Sequence, residues 1–256
     1  EWLRRVSLDL VGLPPTENDI IAFLNDPSEA AYEQAVDKLL ADPAFGERWA
    51  SVWLDLARYS DSRGFERDKH RDAWPYRDWL VNAYNQNMPY NHFVTKQLAG
   101  DLLPNATLSD HIATTFHRLT PANDEAGTDD EEYRTYAVMD RSATTWQALN
   151  GITMNCVQCH AHPYDPITHD EYFSSLAFFN TTQDADRRDD GPNLKVAQNK
   201  SEQAALFHWQ KQVQTHQQAL ISRLASWHQQ ADWEKLVIEQ AYIDEQLAKK
   251  ALAEVK

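Results

Sequence analysis

Cys156-Val157-Gln158-Cys159-His160 is the stretch on which the reading of this chain turns. It has the C-x-x-C-H spacing that attaches a c-type haem. Two thiols three residues apart can each bond one vinyl group of the same porphyrin, and the adjacent imidazole then reaches the iron. The chain holds no other cysteine, so both of its thiols belong to this motif. Three other chemistries use the same residue types. Zinc wants four ligands, commonly from two separated pairs. Here Cys156 and Cys159 would need two of His160, His162 and His169, and there is no second cysteine pair. A thioredoxin-like redox pair usually sits near a βαβ pattern, and none is readable nearby. A plain disulfide or two buried thiols leaves His160 unexplained, and so short a loop adds little stability. Covalent haem uses all three residues, with His160 expected as the proximal ligand.

Upstream, Thr128-Asp129-Asp130-Glu131 reads as a capping box with an acidic first turn. The helix it opens should carry Tyr133, Tyr136, Ala137, Asp140, Thr144 and Ala148 as far as Gly151. The motif is then expected at the C-terminal edge of that helix or on the turn after it. Downstream, Pro163 and Pro166 exclude a long helix directly after His160. Tyr164-Asp165-Pro166-Ile167 reads as a turn, and Glu171 to Phe179 as a resumed, aromatic-rich helix.

Further out, helix signals recur at short intervals. Pro14-Pro15 should end a first helix and Thr16 cap a second. Asp26-Pro27 and Asp42-Pro43 each look like an N-cap followed by proline at the first helical position. Phe45, Trp49, Val52, Trp53, Leu56 and Tyr59 recur every three or four residues, which predicts one apolar core face. Pro75 should open another helix, with Trp79, Leu80 and Ala83 inward, and Met88-Pro89 should break it. Phe93, Val94 and Leu98 predict a short helix stopped at Gly100. Only seven glycines, with 42% hydrophobic residues, favour helices over strands. The expected fold is mainly α: an irregular helical haem-binding domain over 1–183, a linker over 184–192 and a helical hairpin or coiled-coil arm over 193–256. The arm follows from Leu206, Trp209, Val213, His216, Leu220 and Trp227, whose steps of three, four and seven make a heptad-like seam. Leu236, Ile243 and Leu247 form a second run.

The formal net charge of −15 predicts repulsion from nucleic acid and from anionic membranes. No apolar run is long enough to span a membrane. The chain opens in a helical stretch with no signal peptide, so it reads as part of something longer. Covalent haem is attached outside the cytoplasm, which places the expected export signal upstream and the protein in the periplasm or outside the cell.

Several further motifs stand in order. They are Leu3-Arg4-Arg5-Val6-Ser7-Leu8-Asp9-Leu10-Val11-Gly12-Leu13-Pro14-Pro15-Thr16, then Phe45-Gly46-Glu47-Arg48-Trp49 running on to Trp53-Leu54-Asp55-Leu56-Ala57-Arg58-Tyr59. Trp74-Pro75-Tyr76-Arg77-Asp78-Trp79 and Gln97-Leu98-Ala99-Gly100-Asp101-Leu102-Leu103-Pro104 follow. The haem motif with Asp165-Pro166-Ile167, then Glu171-Tyr172-Phe173 and Phe178-Phe179-Asn180, complete the set. From about Leu3 to Asn180 the chain resembles the cytochrome-like domain of large planctomycete secreted multidomain proteins, a family mostly of unknown function. The resemblance implies a neighbouring small cytochrome c module as redox partner and a following coiled coil. It implies polysaccharide degradation by association only. The chain departs from the family pattern at Pro163, where a bulky residue, often Lys, commonly follows His162.

The sixth iron position separates an electron carrier from a catalyst. Met154 and His162 lie too close in sequence to His160 to reach the far face, whereas His117 can come across and is the expected distal candidate. His70, His92 and Met139 are alternatives. Arg118, Arg134 and Arg141 are candidates to pair with the propionates, Arg141 first among them. Asp140 and Arg141 also read as a charge pair. Asp61, Glu66 and Glu125, with Arg63, Asp68 and Asn123-Asp124, accumulate in loops and have the chemistry for Ca²⁺ or for acid–base work on a sugar. His162 joins Asp61, Glu66 and Glu125 as a catalytic candidate. The first expectation is an exported electron-transfer domain. The alternative is a haem-dependent enzyme oxidising a carbohydrate at an open sixth position, and a third is an interaction module working through the arm.

Overall fold

In the computed structural model the described residues are 1–26, 28–123, 125–182, 193–197 and 200–227. The chain divides into two units, Glu1–Leu194 and Lys195–Lys256. Among the described residues it is helical and without strands, as the composition predicts.

The first unit opens with α1 (Trp2–Val11), which stops at Gly12 in the left-handed conformation, two residues before the prolines. Thr16 then caps α2 (Glu17–Asn25) through a reciprocal box with Asp19. The two Asp-Pro signals diverge. The Asp42 carboxylate accepts from the Ala44 N–H at 2.9 Å, at the mouth of α4 (Ala44–Leu56). Asp26 instead closes a turn by accepting from Ser28 N–H at 3.0 Å, and α3 (Ala30–Leu40) begins later.

α4 lies along α5 (Trp74–Asn85), and the face it buries overlaps the predicted one only in part, at Trp53. Gly46, Ala50, Trp53 and Ala57 point inward, while Trp49, Val52 and Leu56 are exposed. The close approach of the two helices selects small residues. A Cβ on Gly46 would stand 2.4 Å from the Val81 carbonyl oxygen, inside any real contact. Trp53 is the one large side chain on that face, and it sits at the centre of the core with Tyr76, Trp79 and Leu80 of α5.

α6 (Tyr90–Ala99) supplies Phe93, whose ring meets that of Trp53 edge-on at 4.8 Å. Gly100 does not stop α6 in a left-handed cap, because its φ is −60° and the chain continues into a 3-10 turn, Gly100–Leu102. The glycine is required by proximity: a Cβ there would lie 2.3 Å from the Asp110 carbonyl oxygen of α7 (Leu108–Ala113). A second 3-10 turn, Thr114–Arg118, brings Phe116 into the core.

α8 (Asp130–Asn150) is capped by Asp129, one residue after the predicted Thr128; its carboxylate accepts from the N–H groups of Glu131 and Glu132 at 2.9 and 3.1 Å. It ends at Gly151 in the left-handed conformation (φ 68°), which turns the chain sharply into the cysteine motif. α9 (His169–Leu176) follows, capped by Thr168.

In the second unit α10 (Lys200–Trp227) is one continuous helix, on which Leu206 and Val213 are half-buried and Trp209 and Leu220 exposed. The predicted linker, Asp124 and the second run of the arm, Leu236, Ile243 and Leu247, lie outside the described residues. No described helix is long and apolar enough to cross a membrane.

Candidate functional site

The cysteine motif lies on a 3-10 turn, Met154–Gln158, between α8 and α9. The turn is anchored by the residues that carry no chemistry. Met154 and Val157 are buried together with Tyr172 of α9, and Trp146, Ile152, Ile167 and Leu176 pack around them. Burial pushes the Tyr172 phenol up. With Val157 held inward, Cys156 and Cys159 are both exposed, and neither is in a disulfide. A plain Cys156–Cys159 disulfide and a pair of buried thiols are therefore not what the structure shows.

The three histidines around the motif are distinguished by what their Nδ1 atoms touch. His160 Nδ1 lies 2.6 Å from the Ala161 carbonyl oxygen. A carbonyl only accepts, so Nδ1 carries the proton and Nε2 keeps its lone pair. That is the arrangement of a metal-ligating histidine, whose other nitrogen donates to a carbonyl. His169 Nδ1 likewise donates to the Val157 carbonyl, at 2.8 Å.

His162 is the reverse. Its Nδ1 accepts from the N–H groups of Asp165 and Tyr164 at 2.9 and 3.3 Å, so the neutral ring carries its proton on Nε2. Its backbone N–H donates to the Ile167 carbonyl at 2.9 Å, and its side chain is 7% exposed. His162 folds into its own loop and organises the turn through Pro163 and Pro166. Among the described residues no three Cys, His, Asp or Glu side chains gather as a metal site would require. With its Nδ1 taken up by the loop, His162 leaves only His160 and His169 to complete a zinc set with Cys156 and Cys159.

α8 carries an unexpectedly polar buried face of Arg141, Ser142 and Thr144. Asp140 and Arg141 are not partners. Adjacent residues on a helix point about 100° apart, and each is taken by another element. Asp140 is ion-paired with Arg58 and accepts from the Thr120 hydroxyl at 2.7 Å. Arg141 donates to the His117 carbonyl and to the Thr182 hydroxyl, both at 2.9 Å. Arg134 forms a two-pronged bond with Glu131 and also reaches Asn180, while Arg118 is half-buried. The half-buried His117 ring lies between Phe116 and Phe179, at 5.2 and 5.0 Å.

The acidic candidates occupy a separate strap. Residues 60–72 form a tight hairpin closed by a Ser62–His70 bridge, with Arg63 N–H donating to Lys69 O and Arg71 N–H to Asp61 O. It is pinned to the following segment by Ala122 N–H on Arg63 O and by Arg71 Nη1 on Thr120 O. The Glu66 N–H donates to Glu125 Oε1 at 3.0 Å, so these two residues are brought together. Asp61 is held apart from them by the Tyr59 hydroxyl, which donates to it at 2.6 Å. Burial, and then that bond, push the Tyr59 phenol well above its usual range.

The sequence reading missed His169 and Tyr172 as the support of the motif and Arg58 as the partner of Asp140. Only the alternation of exposed and buried residues through Met154–Cys159 foreshadows the first of these. Nothing local to Arg58 predicts a partner in α8. No curated protein and no solved structure matches the chain. The chain matches a family, PSCyt2, described as "Protein of unknown function (DUF1549)", over residues 1–184, a span that takes in α1 to α9 and the cysteine motif. The chain belongs to the PSCyt2 family.

Proposed function

We propose that the first unit is a c-type haem domain of an exported protein, with haem joined through Cys156 and Cys159 and His160 as the proximal iron ligand. The observation that carries this reading is the combination on one short turn of two exposed, unbridged thiols and an exposed histidine with a free Nε2 lone pair. The family name, PSCyt2, suggests the same association. When bound, the haem supplies a one-electron iron couple. The chain's own part is to anchor Val157, hold both thiols outward and fix the tautomer of His160. Arg141, buried and bonded to the His117 carbonyl, and His117 itself remain the candidates for a propionate contact and a distal ligand.

The activity that follows is electron transfer to a neighbouring cytochrome or other redox domain, in a protein associated with polysaccharide degradation. No observation favours a carbohydrate-oxidising enzyme over this reading. Expression of the chain with haem-attachment machinery tests it. The purified protein should carry one haem that survives denaturation and gives a c-type pyridine haemochrome, and the Cys156→Ser, Cys159→Ser double variant should carry none. A folded protein free of covalent haem under these conditions sinks the proposal. Rapid CO binding to the reduced protein, in place of a closed low-spin iron, would transfer it to the enzyme alternative.

A further inference from the structure

His169 is separated from Val157 by a helix start and two prolines, yet its Nδ1 meets the Val157 carbonyl at 2.8 Å. That carbonyl lies between the two cysteines of the motif. We propose that His169 is a positioning residue of the cysteine turn, holding the backbone between Cys156 and Cys159 in the shape that presents two separate, reduced thiols. The inference concerns the turn itself and rests on the haem reading only in one arm of its test.

Three features make His169 suited to this. It is the first residue of α9, and that start is fixed by the Thr168 box, in which the Thr168 N–H donates to Glu171 Oε2 at 2.8 Å. Its ring is half-buried and packs edge-on against Phe173 at 4.8 Å, one turn along the same helix. Tyr172, three residues after His169 on the same helix, is 1% exposed and is buried in one cluster with Val157. Val157 is therefore gripped twice by α9, by its side chain in the Tyr172 pocket and by its carbonyl on His169. That bond restrains the peptide between the two cysteines, so its loss should ease their closure into a disulfide.

The test uses the full chain. In the haem-free, reduced wild type, ¹⁵N spectra of the imidazoles should show His169 as the Nδ1–H tautomer, and the Nε2–H tautomer overturns the proposal. His169→Phe keeps the ring contact with Phe173 but has no donor. His169→Asn places an amide N–H near the position of Nδ1. With excess oxidised glutathione, disulfide formation in haem-free H169F should be about fivefold faster than in the wild type, the scale of one hydrogen bond. Covalent haem yield during maturation should fall by a similar factor, about fivefold, and H169N should restore both. H169F matching the wild type, or H169N matching H169F, overturns the proposal. If H169F does not fold, the wild-type tautomer decides. If wild type and variants alike take no haem while disulfide rates still separate H169F from H169N, the positioning role stands and the haem reading falls.

Discussion

Gln97 lies 2% exposed at the centre of the core, and its carbonyl oxygen accepts from two donors, the Trp53 indole at 2.8 Å and the Tyr76 hydroxyl at 2.6 Å. Its amide donates in turn to the Phe93 carbonyl at 3.1 Å. Gln97→Leu preserves the volume, strands the Tyr76 hydroxyl proton and leaves the Trp53 indole only the Tyr76 oxygen at 3.2 Å, so it should cost about 1–3 kcal/mol in denaturant unfolding. Asp110 illustrates a charge that works through its partner. The Lys96 ammonium, then the Thr107 hydroxyl and backbone N–H, hold its carboxyl down at about 2. A lowered folded-state value means that the contribution is complete above the unfolded value of about 4 and is lost as the pH falls through 2. Asp110→Asn should therefore cost about 1–2 kcal/mol near neutrality and close to nothing at pH 2, measured as the difference between the two unfolding curves. The Trp53–Gln97 and Tyr76–Gln97 bonds were not legible from neighbouring residues, since Trp53, Tyr76 and Gln97 meet only when three helices do. The local capping bonds of Thr16 and Asp42 were legible, because donor and acceptor lie within three residues of each other, whereas the equally local Thr168 box was not read.

Among the elements, α4 shows where periodicity misleads. The three- and four-residue spacing of Phe45 to Tyr59 identified a helix and placed Trp53 inward correctly, but Gly46, Ala50 and Ala57 complete the buried side while Trp49, Val52 and Leu56 stay exposed. Two stripes compete on α4, one of large apolar residues and one of Gly46, Ala50 and Ala57, and the close crossing with α5 admits only the small one. Gly46→Ala should separate α4 from α5 and cost at least about 2 kcal/mol, in the range of core overpacking, while Trp49→Ala on the exposed stripe should cost less than about 1 kcal/mol. Thermal unfolding of the two variants side by side checks the assignment. A similar contrast holds at the start of α8, where Asp129→Ala should remove about 1 kcal/mol and Thr128→Ala less, because the Asp129 side chain holds the N–H groups of the second and third helical residues, Glu131 and Glu132.

For the molecule as a whole, Glu1–Leu194 and Lys195–Lys256 are separate compact units. The core built from α4, α5, α6 and Phe116 and the smaller cluster of Met154, Val157 and Tyr172 both lie within the first. A chain ending at residue 194 should keep its helical spectrum, its near-ultraviolet aromatic signal and the reactivity of both thiols. Loss of the near-ultraviolet signal on truncation would show that the arm is needed for the core. The replacement of Leu206, Val213 and Leu220 by polar residues should likewise leave those signals alone and change only the association state, read by sedimentation.

The residues themselves determined the helical class, most of the helix boundaries and the identity of the cysteine turn, because each rests on bonds or spacings confined to a few successive positions. The tertiary structure decided what those positions face. It turned α4 by its small residues, gave Asp140 to Arg58 in place of Arg141, folded His162 into its own loop, and set the Val157 carbonyl on His169. These are choices among groups of equal local chemistry, and they are settled by which backbones come close enough to exclude a Cβ or to share a proton. Cys156-Val157-Gln158-Cys159-His160 spells out its reactive atoms in order, while the shape in which it presents them comes from α9.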